Sequence, residues 1–137
     1  MLLLFDVGNT HVTLGGYDGS RCLFTGRIAT DRRRTEDEYA MTLESVLHMH
    51  GYVPADVEDG IISSVVPAVT QALDRAFQLL WHKTAMKVTT AMDWGLEVRT
   101  DTPELLGKDL IVDAVGAKSK YHCPILVFDL GTATTCS

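Results

Sequence analysis

The sequence predicts a mixed α/β domain: a mixed sheet with three leading antiparallel strands and helices on its faces. Three observations predict it. The first thirty residues hold three apolar-rich segments separated by turn residues, which is a hairpin pattern. Beyond residue 35, helical periodicity alternates with short apolar runs. The chain has 137 residues, 46% hydrophobic and 22% charged, which suits one ordinary globular domain with a small core.

Taken in order, "LLLFD" is apolar and meets Asp6-Val7-Gly8-Asn9-Thr10, which reads as a buried strand entering a tight turn. "HVTLGGYDG" alternates loosely and ends in Asp18-Gly19, a hairpin signal, and "RCLFTGRIAT" reads as the third strand. Thr35 and Glu38 stand at capping-box spacing, and Glu36 and Asp37 suit the positive end of a helix dipole. Tyr39, Met41, Leu43, Leu47 and Met49 then recur at roughly helical intervals up to Gly51. "GIISSVVP" reads as a strand ended by Pro67, residues 68–81 as a helix, and "MKVTT" as a short strand. Residues 91–104 look irregular, with Gly95 and Pro103. A helix follows from about Asp109 with Ile111, Val112, Ala114 and Val115 inward, and "PILVFD" reads as a buried strand.

Net charge is −6, which disfavours broad contact with nucleic acid or anionic lipid, since both need a basic face. The dense basic cluster Asp31-Arg32-Arg33-Arg34 adjoins Glu36, Asp37 and Glu38 and reads as a solvated, self-neutralised loop. Cys22, Cys123 and Cys136 show neither a disulfide framework nor zinc spacing and are expected to be reduced thiols. "MLLLF" is too short for a signal core, and no run is long enough to cross a bilayer, so a cytoplasmic location is expected. His48 and His50 are two apart and share no helical face, which argues against a metal pair.

One design occurs twice. "LLLFDVGNTHVTLG" opens the chain and "ILVFDLGTATTCS" closes it; each is an apolar run, then Asp, one apolar residue, Gly and small hydroxyl residues. Gly permits close backbone approach or a positive φ. Turn N–H groups with Asn or Thr side chains form an anion-binding concavity. The Asp would repel phosphate directly, so it should act through Mg²⁺, another cation or water. Two such turns would clamp a polyphosphate, where positioning and charge stabilisation dominate the chemistry. An Asp-Gly turn taken singly is ordinarily only a turn.

Five motifs in register carry a resemblance: "DVGNT" at 6–10, "TDRRRTEDEY" at 30–39, "IISSVVP" at 61–67, "GKD" at 107–109 and "DLGTATT" at 129–135. Together they resemble the bacterial type III pantothenate kinases, of the acetate kinase/sugar kinase/Hsp70/actin superfamily. The resemblance implies ribonuclease-H-like (actin-like ATPase) domains with ATP held between two of them. Residues 1–123 would be the first domain, and 124–137 the first strand and phosphate loop of a second, mostly absent one. It implies ATP-dependent phosphorylation of pantothenate, with Mg²⁺ and a monovalent cation (K⁺ or NH₄⁺), in a homodimer.

By that resemblance Asp6, Val7, Gly8, Asn9, Thr10, His11, Val12 and Thr13 form the first ATP loop, with Asp6 near Mg²⁺. Thr132 contributes the second phosphate contact, and Asp129 holds the monovalent cation. Asp109 takes the proton from the pantothenate hydroxyl; read without the family, it is an ordinary helix N-cap. Thr100, Gly107, Lys108, Asp109 and Leu110 line the substrate side. Three positions depart from the family pattern there: Leu110 replaces an Arg whose fork suits a carboxylate or phosphate, Thr100 replaces a Tyr, and Trp94-Gly95 replaces a Thr-Gly pair. These departures motivate the alternative of an impaired or regulatory nucleotide-binding paralogue with a changed acceptor pocket.

Overall fold

The structure, a computed structural model, describes residues 1–99, 107–130 and 134–136. The chain forms two compact units, Met1–Lys87 and Val88–Ser137. This division falls inside the span 1–123 expected as a first domain, and concerns contacts within the chain rather than that boundary.

In the first unit, β1 (Leu2–Val7) is the centre of a five-stranded sheet ordered β3-β2-β1-β4-β5. β2 (His11–Tyr17) and β3 (Cys22–Ala29) run antiparallel as successive hairpins, while β4 (Asp59–Ser64) and β5 (Met86–Lys87) run parallel. The turn between β2 and β3 is built by Asp18, whose Oδ1 accepts from the Ser20 and Arg21 N–H groups at 2.9 Å each. These bonds pull the Asp18 carboxyl down to about 2. Gly19 supplies the left-handed φ of 97° that the turn needs.

Strand alternation sends Leu3, Phe5 and Val7 to one face, where they meet Val12, Leu14 and Ile62 from neighbouring strands. Helices α1 (Glu36–Met49) and α2 (Pro67–Trp81) cover that face with Tyr39, Leu43, Leu47, Val69, Leu73 and Phe77 and pack on each other. Burying each such large side chain is worth roughly 1.5–3 kcal/mol. The capping box is present: Thr35 Oγ1 accepts from Glu38 N–H at 3.3 Å, and Thr35 N–H donates to Glu38 Oε2 at 2.8 Å.

Several expectations are corrected. Met41 and Met49 lie on the open side of α1, 70% and 78% exposed, because Tyr39, Leu43 and Leu47 already fill the buried stripe. Pro67 opens α2 at its first position, where its missing N–H costs nothing. β4 ends earlier, at Ser64, whose Oγ accepts from Val66 N–H at 3.0 Å. The "MKVTT" strand shrinks to Met86–Lys87, since the chain turns back with Met92 N–H donating to the Thr89 carbonyl at 3.3 Å.

In the second unit, α3 (Lys108–Lys120) buries Ile111, while Val112 is exposed rather than inward. β6 (Phe128–Leu130) pairs antiparallel with β7 (Thr134–Cys136). The "PILVFD" stretch is not buried: Leu126 is 74% and Phe128 63% exposed, as a two-stranded ribbon covers neither of its own faces. Among the described residues no helix is long and apolar enough to cross a membrane.

Candidate functional site

In the first unit the candidate residues gather where β1 ends. Register places Ser63, Asp6, Thr13 and Arg27 side by side across β4, β1, β2 and β3. Cross-strand partners share a face, so these four stand on the side opposite the helix-covered core. Asp6 is exposed there. Val7 and Val12 are buried at 1% and 0%, so whatever they offer a ligand comes from their main chain.

Gly8, Asn9 and Thr10 form the turn. Gly8 N–H donates to the His11 carbonyl at 3.0 Å, and a Cβ at position 8 would sit 3.3 Å from that same oxygen. The left-handed glycines among the described residues are Gly19, Gly51 and Gly95, so Gly8 answers the need for close approach and not for a positive φ. The turn carbonyls are engaged inside the fold: Val7 O accepts from Val65 N–H at 3.1 Å, Gly8 O from Thr30 Oγ1 at 2.8 Å, and Thr10 O from Thr30 N–H at 3.0 Å.

Thr30 therefore clasps the turn to the basic segment that follows it. The self-neutralised loop expected from its composition is only partly realised. Asp31 binds Arg33 with both oxygens, at 3.2 and 3.3 Å, and this pairing holds the Asp31 carboxyl below the usual carboxylate range. The Tyr39 hydroxyl donates to the Asp31 carbonyl at 2.9 Å, and Arg34 lies 6.0 Å from the Tyr39 ring centroid. Arg32 instead reaches back to Asn9 Oδ1 at 3.5 Å. On the turn's far side, Arg27 Nη2 lies 2.7 Å from His11 Nδ1.

In the second unit α3 starts one residue earlier than expected. Its N-cap is Gly107, without a side-chain bond, and Asp109 stands within the first turn rather than at the cap. Asp109 Oδ1 accepts the Leu110 N–H at 3.0 Å, and a side chain at 107 would run into this carboxylate. Lys108 and Leu110 are half-buried beside it. Asp113, one turn along, escaped the sequence reading, although its spacing of four from Asp109 marks the same face. Burial first, then the charges of Asp129 and Asp109, push the Asp113 carboxyl up. The Trp94 indole N–H is buried without a partner among the described residues, and Lys118 Nζ donates to the Gly95 carbonyl at 2.8 Å.

Thr100 and Thr132 lie outside the described residues. Among those described, no three His, Cys, Asp or Glu side chains converge to hold a metal. An exposed single carboxylate at a strand end, such as Asp6, fits a hard cation that keeps its waters and shares itself with phosphate.

A family model described as type III pantothenate kinase matches residues 2–137. A protein named type III pantothenate kinase from Geobacillus sp. (strain WCH70) is 42% identical over 135 residues, covering 98% of this chain and 52% of the relative. Those of the same name from Halalkalibacterium halodurans and Bifidobacterium adolescentis are 41% and 42% identical, each over 98% of this chain and 53% of the relative. The chain spans about half the length of the curated relatives it matches.

Proposed function

The chain belongs to the type III pantothenate kinase family, and on that premise we propose that it carries the first phosphate turn and the proton acceptor for ATP-dependent phosphorylation of pantothenate to 4′-phosphopantothenate, the first step of coenzyme A biosynthesis. The observation that carries this reading is the family match over residues 2–137. Two local geometries support it: the clasped Gly8-Asn9-Thr10 turn beside Asp6, and a carboxylate fixed at the start of α3.

Asp109 takes the proton of the pantothenate hydroxyl as that oxygen attacks the γ-phosphorus and ADP leaves. Its bond from Leu110 N–H fixes one carboxylate oxygen, and Gly107 keeps the space around it open. Residues 6–13 and Thr132 bind ATP; Thr100, Gly107, Lys108 and Leu110 face pantothenate. Asp6 would hold Mg²⁺, directly or through water, and Asp129 a K⁺ or NH₄⁺ ion; these cations supply charge neutralisation on the polyphosphate. The same reading includes a ribonuclease-H-like first domain over 1–123, the start of a second over 124–137, a homodimer and a cytoplasmic location.

The test is phosphorylation of pantothenate from ATP with Mg²⁺ and K⁺, run beside Asp109→Asn. The variant is expected to lose at least roughly 100-fold in turnover with its fold intact. Retained turnover removes Asp109 as the base. A monomeric mass by light scattering at micromolar concentration removes the homodimer.

A further inference from the structure

We infer that Arg27 and Arg32 are the cationic arms that grip the terminal phosphates of a nucleoside triphosphate at the turn 8–11. The phosphate identity rests on the kinase reading above; the anion site itself rests on geometry. The two arginines approach one turn from different ends, Arg32 at Asn9 Oδ1 (3.5 Å) and Arg27 at His11 Nδ1 (2.7 Å). Both are exposed. Thr30 lies between them in sequence and ties their segment to the Gly8 and Thr10 carbonyls, so both arms leave a fixed base.

Their contacts differ from those of most other arginines among the described residues; Arg34, which bonds Thr42 Oγ1 at 3.3 Å and lies against the Tyr39 ring, points away along α1 and not to the turn. Arg21, Arg33, Arg75 and Arg99 each have a carboxylate within salt-bridge distance, on Asp18, Asp31, Glu36 and Glu97. Arg27 rests on a histidine ring nitrogen and Arg32 on an amide oxygen. Both are weaker acceptors than a phosphate oxygen, which a guanidinium can bind through two parallel N–H bonds. Strand spacing sets Arg27 about 10 Å from Asp6, two strands away on the same face. Thr13 stands between them in the same row, so a phosphate over that row would meet cation, hydroxyl and carboxylate in turn. On a chain of net charge −6, a local cationic pair also focuses anions onto this turn.

The probes are inorganic tripolyphosphate and MgATP, titrated calorimetrically into the 137-residue chain. Arg27→Gln and Arg32→Gln are each expected to weaken tripolyphosphate roughly tenfold, as lost charge-assisted bonds do. Arg33→Gln removes the same charge from the same segment and is expected to change affinity less than about twofold. Arg27→Lys and Arg32→Lys stand in should a glutamine variant fail to fold, and they too should bind more weakly because an ammonium cannot bridge two oxygens. Absence of tripolyphosphate binding, or equal small losses in all three glutamine variants, overturns the inference. Arginine-dependent binding without pantothenate turnover supports it and removes the kinase reading. Asp109-dependent turnover with the ATP KM unmoved in Arg27→Gln and Arg32→Gln does the reverse.

Discussion

In Met1–Lys87, β1 has hydrogen-bonded neighbours on both edges, and two helices close over one face of its sheet. In Val88–Ser137, β6 pairs with β7, and the buried hydrophobics among the described residues are Val88 and Ile111. Among the described residues, the fully buried large side chains, from Leu3 to Phe77, belong to the first unit. The proposed proton acceptor, Asp109, and the proposed cation ligand, Asp129, belong to the second. Packing and the proposed acid–base chemistry are thus separated along the chain. Among the described residues, the region proposed to move protons has the smaller core, and its described supports are local: a helix start, a glycine and a main-chain N–H.

The largest way to break this contrast is Phe77→Ala. It should cost about 3–5 kcal/mol in denaturant unfolding, because Phe77 is fully buried and also lies against Gly60, where a Cβ would meet its ring at 2.5 Å. Ile111→Ala should cost less, about 2 kcal/mol. Equal losses, with one shared transition, would mean that the two units unfold as one. Gly107→Ala comes next: it should lower kcat roughly tenfold by displacing the Asp109 carboxylate, while shifting the melting temperature little. A large loss of stability with kcat intact would make Gly107 a purely structural cap.

Thr35→Ala sharpens the contrast at the helix starts. α1 should lose about 1 kcal/mol with its capping box, whereas α3, capped by a glycine with no side-chain bond, has no such term to lose. The smallest effect is at Asp113. Its folded carboxyl sits above the ordinary range, so the folded state binds the proton more tightly than the unfolded one. Stability from this site is present in acid and falls as pH rises through the raised value. Asp113→Asn should therefore be more stable than the parent at neutral pH and equal to it in acid, read from melts across pH.

Much of the first unit was open to sequence reading because its rules are local. Thr35 and Glu38 are three apart, Asp18 and Gly19 are adjacent, and the hairpins follow from strand length and turn chemistry. What escaped was set at long range. Composition alone made residues 31–34 a self-neutralised loop, yet only Arg33 folds onto Asp31. Arg32 meets Asn9 because Thr30 finds Gly8 and Thr10 twenty residues and more upstream. Helical period could place Leu43 and Leu47, but not decide that Met41 falls outside the stripe. Ile111 and Val112 are adjacent and equally apolar, so sequence could not say which one turns inward. At the site, the row Asp6–Thr13–Arg27 exists only once β1, β2 and β3 are in register.

The Thr30 clasp has one more consequence, for the order of events. By occupying the Gly8 and Thr10 carbonyls, with Val65 on Val7 and Gly8 on His11, the fold directs the rim's oxygen acceptors to internal donors. A bare divalent ion arriving there would meet the Asp6 carboxylate and carbonyls of Val7, Gly8, Thr10 and His11 that already hold internal donors. On the proposed reading the rim would act as a polarity filter, receptive to anions and indifferent to naked cations. Magnesium should then enter already escorted by its nucleotide, and the ligand-free chain should show little heat on titration with magnesium alone.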